Sequence, residues 1–382
     1  MREADDELST LQEEGLLRHL RELEVDQPPL FRLNGQPVIN FSSNDYLGLS
    51  HDEELVAAAR EATARHGTGS ASSRLISGSL SPHRELEEHI AEWKGTESAL
   101  SFTSGYAAAV GTLQALLNKG DVVILDKLCH ASLIDGARQS SATLRVYPHN
   151  NLDKLERLLA DHRKSLPTDA RLLVVTESVF SMDGDQAPLA EIVELTERHE
   201  ALLLVDEAHA TGVFGSTGQG LAEELGLHKR IAFQIGTLGK AVGSAGGYLA
   251  AKRHWIDLIL NKARSFIYST APPPAQAAAS SCGIRVISSS RGQKLRERLW
   301  AHLSTFSALR STRAQSAIVP LVFGENESAL NASSSLLKAG YLVPAVRFPT
   351  VPRGSARLRI TLSAIHQEEQ IRSLHEHLLA LQ

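Results

Sequence analysis

Cysteine is nearly absent from this chain: Cys129 and Cys282 are the only two in 382 residues. Their spacing matches neither a disulfide framework nor a metal-ligand motif, so a stapled secreted scaffold is excluded and no metal is expected. A basic excess is also missing. The formal net charge of -5 leaves no electrostatic footprint for nucleic acid. Long apolar runs are lacking too, none approaching the roughly 18 residues that a membrane span needs. The start of the chain, MREADDELSTLQEEGLLRHL, is acidic and amphipathic, unlike a leader with a basic end and an apolar centre. These absences point to a reducing, cytoplasmic setting with no nucleic-acid or membrane partner.

What is present is ordinary globular material, 42% hydrophobic and 22% charged. The length predicts one large and one small domain. Short apolar runs alternate with helical patterns in the middle of the chain. VVILD (122–126), LRVYP (144–148), RLLVVTES (171–178), ALLLVDEAH (201–209) and IAFQIGT (231–237) read as strands, apolar on both faces. LDKLERLLADHRK (152–164) and LAEIVELTERHE (189–200) carry apolar residues at three- and four-residue spacing. This rhythm predicts an α/β fold with a mainly parallel sheet covered by helices. The boundaries expected are 1–45 for an N-terminal helix and short strands packing with the small domain, 46–285 for the large domain, and 286–382 for a smaller α+β domain.

Ligands of such sheets sit beyond the C-terminal strand ends. Glu177 and Ser178, Asp206 and His209, and Thr237 and Lys240 fall at three such ends. Lys240 lies in GTLGKAVGSAGG (236–247), with five glycines around it and no other charge. An ordinary lysine titrates at about 10.4. Loss of solvent or a cationic neighbour lowers that value and makes the amine a nucleophile. The phosphate-loop spacing GxxxxGK[ST] is not met, since residue 241 is Ala.

Asp206 ends an almost wholly apolar run, where a carboxylate requires a cationic partner. Such a partner is a local salt bridge, a cap, or a protonated pyridine nitrogen. His209 follows three residues later; a lone histidine there is more often structural, but beside Asp206 and opposite Lys240 it could hydrogen-bond a ring hydroxyl. Ser104-Gly105-Tyr106 precedes an alanine-rich helix, whose free N–H groups suit a phosphate as well as they suit a plain N-cap. Thr237 could add a hydroxyl there, and His130 could stack on a ring.

The ordered series of phosphate cradle, stacking His, Asp-then-His and Thr-then-Lys resembles the fold-type I pyridoxal-phosphate enzymes. NFSSNDYLGLS (40–50), GTGSASSRLISGSLSPHRELE (67–87), HASLIDG (130–136), VVTESVFSMDGDQAPL (174–189), VDEAHATG (205–212), GTLGKAVGSAGGY (236–248) and SFIYSTAPPP (265–274) narrow the resemblance to the α-oxoamine synthase family. That family condenses an amino acid with an acyl thioester. The resemblance implies a large domain with a seven-stranded sheet and a pyridoxal 5'-phosphate cofactor. Lys240 becomes the Schiff-base lysine and proton carrier, Asp206 and His209 the partners of the ring, and His130 its stacking neighbour. Gly105, Tyr106, Ser181 and Thr237 join the cofactor contacts. Ser269 and Thr270 serve the phosphate of a neighbouring subunit, which implies a homodimer with shared active sites.

The stretch AVRFPTVPRGSARLRITLSAIH (345–366) is similar to the branch that joins L-alanine to a pimeloyl thioester of coenzyme A or an acyl carrier protein. It implies Arg359 for the amino-acid carboxylate and Thr350 as a further substrate contact. Asn44 and Glu177 match family active-site positions, and Arg18 is implied for the acyl substrate, with Arg21 as a competitor. Glycine-using ligases, 5-aminolevulinate synthase, serine palmitoyltransferase and an aminotransferase of the same fold share the core residues. Two positions depart from the pattern: Ala210 replaces the Gly of DEAHGTG, and Cys129 stands where Asn is common.

Overall fold

The computed structural model describes residues 4–381. Of the expected N-terminal segment, residues 1–3 lie outside the described part. The chain divides into two compact units. The large unit comprises Leu47–Ser181 and Asp185–Glu297, and the smaller comprises residues up to Tyr46, Met182–Gly184 and Arg298 onward. The expected break at 286 thus falls inside the large unit. The reason is local: one uninterrupted helix, Ser290–Arg310, runs across the division.

Three short strands come first and belong to the smaller unit: β1 (Leu23–Val25), β2 (Leu30–Leu33) and β3 (Gln36–Asn40). Seven strands then build the sheet of the large unit. They are β4 (Ser98–Phe102), β5 (Val122–Asp126), β6 (Thr143–Tyr147), β7 (Leu172–Glu177), β8 (Leu202–Asp206), β9 (Phe233–Thr237) and β10 (Gly247–Ala251). Their order is β4-β10-β9-β8-β7-β5-β6, and only β10 runs antiparallel to its neighbours. The smaller unit ends with β11 (Ile318–Gly324), β12 (Tyr341–Leu342), β13 (Ala345–Val346) and β14 (Ala356–Thr361). These form a four-stranded sheet β1-β2-β3-β12 and a three-stranded sheet β11-β14-β13.

Side-chain alternation explains why the central strands are apolar throughout. Val123, Leu125, Leu173, Val175 and Leu204 face one core, which includes Leu113 and Phe266 from helices. Val122, Ile124, Leu172, Val174, Leu203 and Val205 face a second, closed by Leu155, Leu159, Ile192 and Val193. Each such side chain contributes about 1.5–3 kcal/mol on burial. With both faces covered, only the strand ends are left for chemistry.

Strands β4 and β10 were not expected. SALSF and GYLAA are rich in Ala, Ser and Gly, which have little strand preference of their own. Their pairing with each other and with β9 supplies what composition does not.

Candidate active site

The C-terminal ends of β5, β7, β8 and β9 converge on a cavity of about 180 Å³ lined by Gly105, Tyr106, His130, Ser132, Glu177, Asp206, Ala208, His209, Ile235, Gly236, Thr237 and Lys240. A larger hollow of about 390 Å³ opens at the opposite ends of the strands, near Gly95–Glu97 and Ala251–Trp255. None of the expected site residues lines that larger hollow, so size does not locate the chemistry.

Parallel register sets Glu177 directly beside Asp206. Both are buried, at 2% and 9% exposure. Burial pushes the Asp206 carboxyl above its ordinary value, opposed by the Lys240 charge and by the Ala208 N–H, which donates to its Oδ1 at 2.9 Å. Burial pushes Glu177 well above the usual carboxylate range, and the neighbouring Asp206 adds to the effect. Lys240 Nζ lies 2.7 Å from His209 Nε2.

His130 caps the Ala131–Gln139 helix: its Nδ1 accepts from the Ser132 N–H at 3.2 Å and lies 2.8 Å from Ser132 Oγ. An acceptor Nδ1 leaves the neutral ring protonated on Nε2, a donor. Desolvation lowers this imidazole's pKa, Asp206 opposes the drop, and Lys240 adds to it. Ser132 is therefore an orienting residue that the motif reading missed; a hydroxyl two residues past a helix-capping His was the available signal.

The cradle forms at the start of the Gly105–Leu116 helix. Ser104 Oγ accepts from the Ala107 N–H at 3.0 Å, so Ser104 is the N-cap, while the amides of Gly105 and Tyr106 have no intrahelical acceptor. Thr237 packs beside Gly105 and accepts from the Gly239 N–H at 3.1 Å. Gly247 is required here, because a Cβ on it would lie 2.5 Å from Ser104 O and 2.6 Å from Gly105 N. Gly243 serves a second purpose: with φ +76 it turns the chain after Lys240, and a Cβ there would lie 2.5 Å from the Leu49 carbonyl carbon.

This donor set fits a planar heteroaromatic phosphate. Free helix amides and Thr237 suit the anion, the buried Asp206 carboxylate suits a ring cation, and Lys240 offers an amine to a carbonyl.

Other expected residues lie elsewhere. Ser181 is buried but does not line the cavity. Ser269 is half-buried and Thr270 exposed; Thr270 pairs with Ser73 in an isolated bridge, and neither lines the cavity. In the smaller unit, Arg359 is 6% exposed and donates to Thr361 Oγ1 at 3.0 Å and Asn44 Oδ1 at 3.2 Å. Burial raises the Tyr46 hydroxyl to about 12 despite the charge of Arg359. Thr350 is exposed on a turn, its N–H donating to Arg347 O at 3.0 Å. Arg18 and Arg21 are both exposed. Burial, and then the Arg18 charge, holds the Arg347 guanidinium below its ordinary value, so Arg18 has a basic neighbour that the motif reading did not single out.

Glu207 was likewise unread. It is fully buried and accepts from Ser178 Oγ at 2.7 Å, Ala222 N at 2.9 Å and Leu221 N at 3.1 Å, fixing the loop that follows β8. Both cysteines are free and buried. Among the described residues no helix is long and apolar enough to cross a membrane.

The model of the family described as aminotransferase class I and II matches residues 36–378. A relative from Geobacter sulfurreducens, named 8-amino-7-oxononanoate synthase, is 45% identical over 96% of this chain and 94% of its own. One of the same name from Pelobacter propionicus is 43% identical over 97% and 95%. Among solved structures, SPT carrying a PLP internal aldimine superposes with a TM-score of 0.92 at 32% identity, covering 99% of this chain and 96% of that one. The 8-amino-7-oxononanoate synthase of Francisella tularensis gives 0.76 at 26% identity, covering 89% and 96%.

Proposed function

The chain belongs to the aminotransferase class I and II family, and on that footing we propose that it condenses L-alanine with a pimeloyl thioester, giving 8-amino-7-oxononanoate, carbon dioxide and the free thiol in biotin biosynthesis. Identity of 43–45% across nearly the whole length to relatives of that name carries the reading. The cofactor is pyridoxal 5'-phosphate, for which the cavity holds the required groups. When bound, it supplies an electrophilic carbonyl carbon and a cationic ring that takes up the electron pair released at the amino-acid Cα.

The chain's own residues do the rest. Asp206, with its buried carboxylate, would keep a proton on the ring nitrogen, and the Gly105 and Tyr106 amides with Thr237 would hold the phosphate. His209 positions the Lys240 amine, which takes the Cα proton and later returns one. His130 would stack on the ring and offer its Nε2–H to the thioester carbonyl. Arg359, steadied by Asn44 and Thr361, binds the alanine carboxylate through its planar fork, while Thr350 makes a further substrate contact and Arg18 serves the acyl substrate. Ser181 adds a cofactor contact. Two copies share their active sites, with Ser269 and Thr270 of one reaching the phosphate of the other, and the enzyme works in the cytoplasm. The acyl carrier is coenzyme A or a carrier protein.

A second reading, serine palmitoyltransferase, is favoured by the higher backbone superposition. Backbone likeness reports fold rather than pocket, and the relatives named 8-amino-7-oxononanoate synthase, at 43–45% identity, stand above the 32% of the SPT structure. Mass spectrometry of products decides between them. Holoenzyme is given L-alanine, glycine or L-serine with pimeloyl-, acetyl- or palmitoyl-CoA. The expected product arises from alanine and pimeloyl-CoA; a product from serine and palmitoyl-CoA alone overturns the assignment.

A further inference from the structure

His149 lies outside the cavity lining and outside every role assigned above, yet both of its ring nitrogens meet carboxylates. Nδ1 is 3.0 Å from Asp126 Oδ1 and Nε2 is 2.8 Å from Asp185 Oδ2. A carboxylate accepts only, so both nitrogens carry protons and the ring is an imidazolium. Burial alone would lower its pKa, but the hydrogen bonds and charges of Asp126 and Asp185 raise it to about 10. Phe180 closes the site edge-on with ring centroids 4.4 Å apart, and the two aspartates are the main groups that raise the ring's pKa.

Each carboxylate organises a loop next to the active site. Asp126 ends β5 and accepts from Leu128 N and Asn150 N, both at 2.8 Å. Its backbone O accepts from Cys129 N, which completes the turn into His130. Asp185 sits in the hairpin closed by the Val179–Gln186 bridge, where its backbone O accepts from Phe180 N at 3.0 Å. That hairpin follows Glu177 directly and carries Ser181. His149 and its chain neighbour Asn150 both join the two carboxylates.

We propose that His149 is a positioning residue: as a charged strap it ties the loop presenting His130 to the hairpin that follows Glu177, and so fixes the spacing of two walls of the site. The consequence for turnover rests on the function proposed above, whereas the strap itself does not.

Hydrogen exchange of the cofactor-free protein separates the two. Losing bonds between charged partners accelerates opening by on the order of tenfold to a hundredfold. In His149→Gln, residues 127–130 and 179–187 both exchange faster by that factor, while β7 and β8 keep wild-type protection. In the reconstituted enzyme kcat falls about tenfold while KM for the amino acid moves less than twofold, since Arg359 is untouched. Asp185→Asn loosens the hairpin alone, which keeps the test alive if the first variant folds poorly. Acceleration of one segment only in His149→Gln, unchanged exchange, or uniform loosening of the large unit overturns the proposal. Normal exchange changes with no condensing activity in the wild type would instead count against the function.

Discussion

The backbone N–H of His130 donates to Glu177 Oε1 at 2.6 Å, so the loop bearing the imidazole hangs from the end of an adjacent strand. Burial holds this carboxyl well above its ordinary 4.5. The folded chain therefore keeps a proton that the unfolded chain releases once pH exceeds about 4.5. The resulting stability is complete below that value and is lost as pH rises toward the folded pKa. Glu177→Gln retains the acceptor and cannot ionise. The stability of wild type minus that of the variant should accordingly fall as pH rises above about 4.5, by at most ~1.4 kcal/mol per pH unit. Urea unfolding of the cofactor-free proteins measures it, and a pH-independent difference would sink the assignment.

Asp206 is buried with its Oδ1 tied to the Ala208 N–H, so the carboxylate is aimed before any ligand arrives. Asp206→Asn preserves the shape and removes the charge. A hydrogen bond to a charged group is worth about 1.5–3 kcal/mol, so cofactor affinity should fall roughly 10- to 100-fold. Titration of the cofactor by absorbance reads this directly. Turnover at saturating cofactor should also drop, because the ring nitrogen loses the group that keeps it protonated. Unaltered affinity and turnover would remove Asp206 from the site.

Arg359 approaches Asn44 and Thr361 with separate nitrogens of its guanidinium, which fixes the plane of the fork. Lysine keeps the charge but loses the planar, two-point geometry. Arg359→Lys should raise KM for L-alanine roughly 10- to 100-fold with a much smaller effect on cofactor affinity. Initial rates across alanine concentrations, at fixed thioester, test it. A variant that binds alanine normally would show that the carboxylate goes elsewhere.

Sequence reading succeeded where physics acts locally. Val122–Asp126 and Leu172–Glu177 are apolar on both faces, so length and composition alone mark them as central strands. Asp206, His209, Thr237 and Lys240 follow strand ends, where topology forces polar groups together. It failed where a residue's meaning comes from a distant partner. Ala99 and Ala250 become strand residues only because they pair with each other. Glu207 looks like a surface acid until Ser178 and the Leu221 and Ala222 amides close around it. His149 has no local signal at all, since Asp126 reaches it from the end of β5 and Asp185 from a separate hairpin. Met182–Gly184 group with the smaller unit although they interrupt a segment of the large one, a division no composition shift announces.

Gly247 offers a test confined to the phosphate cradle. A Cβ there meets Ser104 O, Gly105 Cα and Gly105 N at 2.5–2.6 Å, and all three are backbone atoms that cannot rotate away. Gly247→Ala must therefore displace the Ser104–Gly105 turn and with it the first amides of the helix. Overpacking of this kind costs about 1–3 kcal/mol, so affinity for pyridoxal phosphate should weaken by a factor of ten or more. Pyridoxal, which lacks the phosphate, should bind both proteins equally well. Gly69→Ala provides the control for stability, since nothing lies within 4 Å of a Cβ at that exposed position; its unfolding midpoint should match wild type. Equal weakening toward pyridoxal and its phosphate would place the anion away from the Gly105–Leu116 helix.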